Sequence, residues 1–458
     1  MDEEKLFELL NTAEAQIINN QSKFFELWNT HISNCFCVDN SFKIEEHISV
    51  YGGFKLTLDE FSQLDDCWKQ FFRAKGKTEN NYIWLRGYCY YECDPQMHLK
   101  KEGITESVLW QQFTKHWFDY NQIALVAEQN KFDVINWIGT ISFLEYVFND
   151  LTTLLWFVLT NDEEIKTQYN YSSLLSSIKN TTNEAACLLA CLLKCDCTKN
   201  KNEVFSRISH ILSNTIINEF LISSTNLSSF NSGCVRAVRE ADSLPLVYSA
   251  FLLKLSPFCK YTTIKKIHFL SNAFGALNTG LLFKYLINDS FVAEHTNVHY
   301  SQHRADSAEI GDRSSGVKLL YPSPMINESN KKCVIIIDDC IFTGKSYFSI
   351  KKEFEKTNDV FLLPLSVDVQ SLMYYNRNKR DIEETYLITE KVLSCANELG
   401  NNLPAFEAFW DWKYYTEKSI QEAKNDYERI INGGDALLKH LWMLYKKEIE
   451  NYYSIGDK

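Results

Sequence analysis

A chain of 458 residues that is 45% hydrophobic and 14% aromatic can fill more than one core, and its length points to two or three domains. A formal net charge of −12 argues against a general nucleic-acid binder, leaving room only for a local basic patch. Seven prolines and 16 glycines are too few for an all-β sandwich with its many turns, so the composition favours helix.

The first residues, Met1-Asp2-Glu3-Glu4-Lys5, are acidic and lead into an amphipathic pattern. That is not a secretory signal, and the chain is expected to be cytosolic. Residues 1–225 are expected to form an α-helical region, because 4–18, 58–72, 107–118, 132–159 and 204–221 carry helical spacing or buried apolar runs. The most apolar part, 137–160, is interrupted by Glu145 and Asp150 and lacks the run of about twenty apolar residues that a membrane span needs. A buried helical hairpin is expected there, with no membrane partner.

Fourteen cysteines in a cytosolic chain should be mostly reduced thiols. Cys187, Cys191 and Cys195 are spaced i, i+4, i+8, followed by Cys197, and on one helix face they could assemble a thiolate metal site. Structural zinc sites usually draw on close cysteine pairs on turns, so burial as small apolar residues is the expected role. Cys35 with Cys37, and Cys89 with Cys93, are weaker pairs.

Residues 226–375 change character. A strand is expected at 266–270, a small-residue loop at Ser271-Asn272-Ala273-Phe274-Gly275, an apolar helix at 277–287 and a second strand at 297–304, ending in Arg304. The polar stretch 305–332 has no clear periodicity, and loops of that length inside a domain are usually lids or disordered. Then comes Cys333-Val334-Ile335-Ile336-Ile337, a β-branched run without polar alternation, as expected of a strand covered on both faces of a parallel sheet. It runs into Asp338-Asp339, a short loop through Thr343-Gly344-Lys345-Ser346, and a helix to about 356 with Tyr347, Ile350 and Phe354 on one side. A further strand at 359–363 meets Pro364, which cannot donate to a ladder, so this strand is short, ends there, or lies at an edge. Residues 376–458 return to helix, with aromatics crowded at Phe406, Phe409, Trp410, Trp412, Tyr414 and Tyr415.

Strand, tight loop, helix is the geometry of a phosphate site, because unpaired N–H groups at the loop and helix start point outward. The aspartates repel phosphate, so their partners must be hydroxyls or a divalent cation. The Gly-Lys-Ser inside the loop suggests a Walker A sequence, but the glycine which that loop needs at its first position is replaced by Asp339. A degenerate nucleoside-triphosphatase loop is therefore only a third reading.

Two acids, Cys340-Ile341-Phe342, then Thr-Gly-Lys-Ser at the end of an apolar strand resemble the binding signature of the type I phosphoribosyltransferases. The resemblance covers 261–369 and implies an α/β phosphoribosyltransferase-like parallel sheet between a large N-terminal helical region and a smaller C-terminal one. It implies that Ile341, Phe342, Thr343, Gly344, Lys345 and Ser346 hold the 5-phosphate of phosphoribosyl pyrophosphate (PRPP). Asp338 and Asp339 would hold the ribose hydroxyls and Mg²⁺, in part through water. Ser271, Asn272, Ala273, Phe274 and Gly275 fall where that family keeps its pyrophosphate turn, Arg304 at a basic position, and 305–332 at a flexible loop. The implied reaction is transfer of phosphoribose to an acceptor. Phe342 stands where the 6-oxopurine enzymes carry a further aspartate, which places purine salvage in doubt. Related domains also serve as nucleotide sensors without turnover, and as effectors in bacterial conflict and antiviral systems joined to helical regions. The helical regions here would then hold a protein partner.

Overall fold

The computed structural model describes residues 22–38, 42–48, 53–75, 77–79, 81–85, 106–127, 132–160, 162–195, 201–224, 266–272, 276, 278–287, 292–300, 317–319, 333–341 and 345–367. The expected helix at 4–18 and the whole of 376–458 lie outside the described residues.

The helical part begins with α1 (22–36) and a short 3-10 turn, Ile44–His47. Strand β1 (Lys55–Thr57) leads into α2 (Leu58–Gln63), whose start is set by a capping box. Thr57 Oγ1 accepts from the Glu60 N–H, and the Glu60 carboxylate accepts from the Thr57 N–H at 2.9 Å. The pattern at 58–72 predicts one helix, but the chain breaks at Leu64, and α3 (Asp66–Lys75) starts anew. The Asp65 N–H is turned to the Asn136 side chain at 3.2 Å, so a tertiary hydrogen bond replaces the continuing helix ladder. Strands β2 (Lys77–Glu79) and β3 (Tyr82–Trp84) complete a small antiparallel sheet of order β1-β3-β2.

Five helices follow: α4 (Glu106–Ala127), α5 (Val134–Thr160), α6 (Asp162–Gln168), α7 (Tyr171–Leu193) and α8 (Lys201–Leu212). After them comes α9 (Thr215–Ser223). The expected hairpin at 137–160 is instead one continuous helix. Glu145 and Asp150 do not turn the chain because both are buried within the helix, and Asp150 accepts a 2.7 Å hydrogen bond from Tyr120 OH. The stretch Val134–Leu159 is long and apolar enough to cross a membrane, and 89% of its most apolar window is buried inside the structure. The single helix expected at 204–221 splits at Asn214, whose side chain caps α9 through the Ile217 N–H. Trp28, Trp68, Trp110, Trp117 and Trp137 are fully buried among these helices. Their indole N–H groups need partners, and Trp28 and Trp137 find them at the α7 end, donating to Leu193 O at 3.2 Å and Leu192 O at 3.0 Å.

Among the described residues the second part is a five-stranded sheet of order β6-β5-β4-β7-β8. Its strands are β4 (Lys266–Asn272), β5 (Val292–Tyr300), β6 (Val317–Leu319), β7 (Cys333–Ile341) and β8 (Asp359–Val367). Four run parallel, and only β6 is antiparallel. Together with the helices this makes a mixed α/β chain. Residues Cys333 to Ile337 are all at most 2% exposed, which is why the run carries no polar alternation. Strand β8 passes through Pro364 without stopping and is the outermost strand on its side of the sheet among the described residues. The stretch 305–332 is not wholly loop, since β6 pairs Val317 with Tyr300.

Crossover helix α10 (Thr279–Leu286) joins β4 to β5, and α11 (Lys345–Phe354) joins β7 to β8. Helix α10 packs on the sheet, with Phe283 edge-on to Phe269 at 5.0 Å, and also on α7. Asn278 Nδ2 donates to Asn149 Oδ1 at 2.8 Å, and Tyr285 OH donates to Asn183 Oδ1 at 2.9 Å.

Candidate functional site at the sheet switch point

In an open parallel sheet the ligand crevice lies beyond the carboxyl ends of the strands, where the strand order reverses. Here the chain moves from β4 outward to β5, then returns to place β7 on the other side of β4 and β8 beyond it. The reversal lies between β4 and β7. The strands that precede both sequence-predicted loops, β4 and β7, end on that side.

The parallel register sets Ser271 opposite Ile337, so the next pair is Asn272 and Asp338. Paired residues in a parallel ladder share a face, and these two touch: Asn272 Nδ2 donates to Asp338 Oδ2 at 3.2 Å. Both are largely buried, at 9% and 8% exposure. The acids are set within β7, which continues to Ile341, rather than beyond its end. Helix α11 starts at Lys345 after only the residues 342–344, and Ile350 and Phe354 are buried as their spacing predicts.

Ser271 is placed differently from the expected pyrophosphate turn. It belongs to β4, is fully buried, and its hydroxyl accepts from the Gly280 N–H at 3.1 Å and meets His295 Nε2 at 2.8 Å. It therefore anchors the start of α10. A Cβ on Gly280 would lie 2.1 Å from Ser271 Oγ, so only glycine allows this approach. The side chains of Asp339, Ile341, Lys345 and Ser346, and residues Ala273, Phe274, Gly275, Arg304, Phe342, Thr343 and Gly344, lie outside the described residues.

The expected strand at 297–304 begins five residues earlier, at Val292. Glu294, His295 and Thr296 look too polar for a sheet interior, but each has a partner from β4. His268, buried within β4, meets Thr296 Oγ1 through Nε2 at 2.8 Å and Glu294 Oε2 through Nδ1 at 3.3 Å. This polar layer was not apparent from periodicity; its one sequence signal is a histidine inside an otherwise apolar strand. At the start of β7, burial, and secondarily the Asp359 carboxylate, push the Cys333 thiol up to about 12.

No family model, curated protein or solved structure matches this chain.

Proposed function

We propose that the crevice between β4 and β7 binds a ribose phosphate, PRPP or a related nucleotide, together with Mg²⁺, and transfers phosphoribose to an acceptor. The observation that carries this reading is the Asn272–Asp338 hydrogen bond at the switch point, which joins the end of β4 to the acidic motif. Asp338 and Asp339 take the ribose hydroxyls, and Asn272 orients the first carboxylate. Thr343 to Ser346 and the N–H groups opening α11 take the 5-phosphate.

Two adjacent carboxylates are hard oxygen donors of the kind Mg²⁺ takes alongside substrate phosphates, so Asp338 and Asp339 would hold it, directly or through water. When bound, it neutralises charge on the departing pyrophosphate. The bond from the anomeric carbon to pyrophosphate breaks as the acceptor nucleophile forms its own bond to that carbon, so positioning and anion stabilisation carry the rate. The setting beside a large helical region fits an effector that acts through a protein partner.

Phe342 favours a second reading, a sensor that binds the ligand without turnover, because a phenyl ring cannot exchange a proton with a base acceptor. Calorimetric titration with PRPP and Mg²⁺, paired with a pyrophosphate-release assay, separates the two. Binding and release, both lost in Asp338→Asn with Asp339→Asn, support transfer; binding without release supports sensing. No binding of PRPP or any nucleotide sinks both.

A further inference from the structure

The C-terminal end of α7 carries a second group of chemistry-bearing side chains, unconnected with the crevice. The three cysteines at 187, 191 and 195 do not share a helix face, because α7 ends at Leu193. Cys191 is disulfide-bonded, an exception to the expected reduced thiols. Cys195 turns away with a left-handed backbone, φ 56°, at a helix-end position where glycine is the ordinary residue. That turn brings its thiol to α1. His31 and Cys35 sit there one helical turn apart, and one ligand atom from each of His31, Cys35 and Cys195 lies within 4.8 Å of the other two.

The surroundings suit a cation. The carbonyls at the end of a 23-residue helix face this spot; the last turn of α7 carries no basic side chain, and the residue that caps it is Lys194. His31 Nε2 donates to Lys194 O at 2.5 Å, and Cys35 Sγ approaches Cys195 O at 3.7 Å. A carbonyl oxygen only accepts, so the proton of neutral His31 sits on Nε2 and the lone pair on Nδ1. That is how a second ring nitrogen tied to the backbone prepares a histidine as a metal ligand. Zinc bonds of about 2.3 Å to sulfur put tetrahedral sulfurs about 3.8 Å apart, within reach by small side-chain rotations.

We propose that His31, Cys35 and Cys195 bind a thiophilic divalent cation, zinc above all, clamping the end of α7 to α1. Two thiolates and an imidazole are the donor set that selects zinc over Mg²⁺. The ion takes both sulfurs as thiolates, releasing their protons to solvent, and leaves its fourth position to water.

The test uses the full chain, stripped with a chelator under thiol reductant and titrated with zinc against a chromophoric competitor, then with Co²⁺ followed by absorption. One zinc per chain is expected, with a thiolate-to-cobalt charge-transfer band. Cys35→Ser and Cys195→Gly should each weaken zinc by at least about a hundredfold, since losing even an outer-shell partner costs ten- to a hundredfold. Cys195→Gly suits the left-handed backbone, so loss of metal in that variant is not a folding failure. Cys187→Ser should bind as the parent does. The proposal is overturned by absent zinc binding, by a cobalt spectrum without the thiolate band, by less than tenfold weakening in either ligand variant, or by equal loss in Cys187→Ser.

Discussion

Asn272 and Asp338 stand side by side on adjacent parallel strands, joined by a 3.2 Å hydrogen bond in which the amide donates to the carboxylate. The contact orients an acid that the proposed ligand needs. Asn272→Ala should weaken PRPP binding by about ten- to a hundredfold, the ~1.5–3 kcal/mol range of one hydrogen bond to a charged group, and should lower the melting temperature as well, because both side chains are largely buried. Titration calorimetry reads this directly, and unchanged affinity would detach Asn272 from the site.

Gly280 permits an approach that no other residue allows. Gly280→Ala should destabilise the chain by about 1–3 kcal/mol, as overpacking does. Adding Ser271→Ala removes the oxygen that the new methyl meets, so the double variant should be less destabilised than the sum of the singles. Urea denaturation of the four-member cycle measures the coupling.

Glu60 and His47 form a pair whose pH dependence has two limbs. Burial works against the Glu60 charge, but hydrogen bonds from His47 and the Thr57 N–H outweigh it and bring the carboxyl from 4.5 to about 2. Burial likewise works against charged His47, and its bonds to Glu60 and the Lys43 carbonyl outweigh it, raising it above 6.5. The Glu60 contribution is therefore complete above pH 4.5 and lost as pH falls toward 2. The His47 contribution is complete below pH 6.5 and lost as pH rises through its folded value. Thermal melts should show a stability shoulder between these limits that Glu60→Gln abolishes.

Tyr120→Phe removes the 2.7 Å hydrogen bond to Asp150 in the middle of α5 while keeping the ring. A loss of about 1.5–3 kcal/mol is expected, because the acceptor is a buried carboxylate.

What could be read from the sequence was what local chemistry decides. The run Cys333 to Ile337 declares a doubly covered strand, and the Gly-Lys-Ser beyond it declares a helix start. The misplaced elements were those where a distant partner overrides local pattern. Asn136 ends α2 by taking the Asp65 N–H, Tyr120 lets Asp150 stay within a helix, and His268 lets Glu294 and Thr296 enter a sheet. Ser271 looked like a ligand-binding hydroxyl because its partners, Gly280 and His295, are nine and 24 residues away.

Helix α10 has consequences for any attempt to divide the molecule. It closes the β4–β5 crossover while Asn278 and Tyr285 bind Asn149 and Asn183, and its buried residues Leu281, Leu282 and Phe283 belong to the same continuous core as α7. Cutting the chain at 225 would strip the covering from both partners and expose apolar surface on each. Fragments 1–225 and 226–458 are expected to aggregate when expressed apart, and calorimetry of the intact chain should give one cooperative transition spanning helices and sheet. Ligand in the crevice would then protect Trp110 or Trp137, deep in the helical part, from unfolding as effectively as it protects β7.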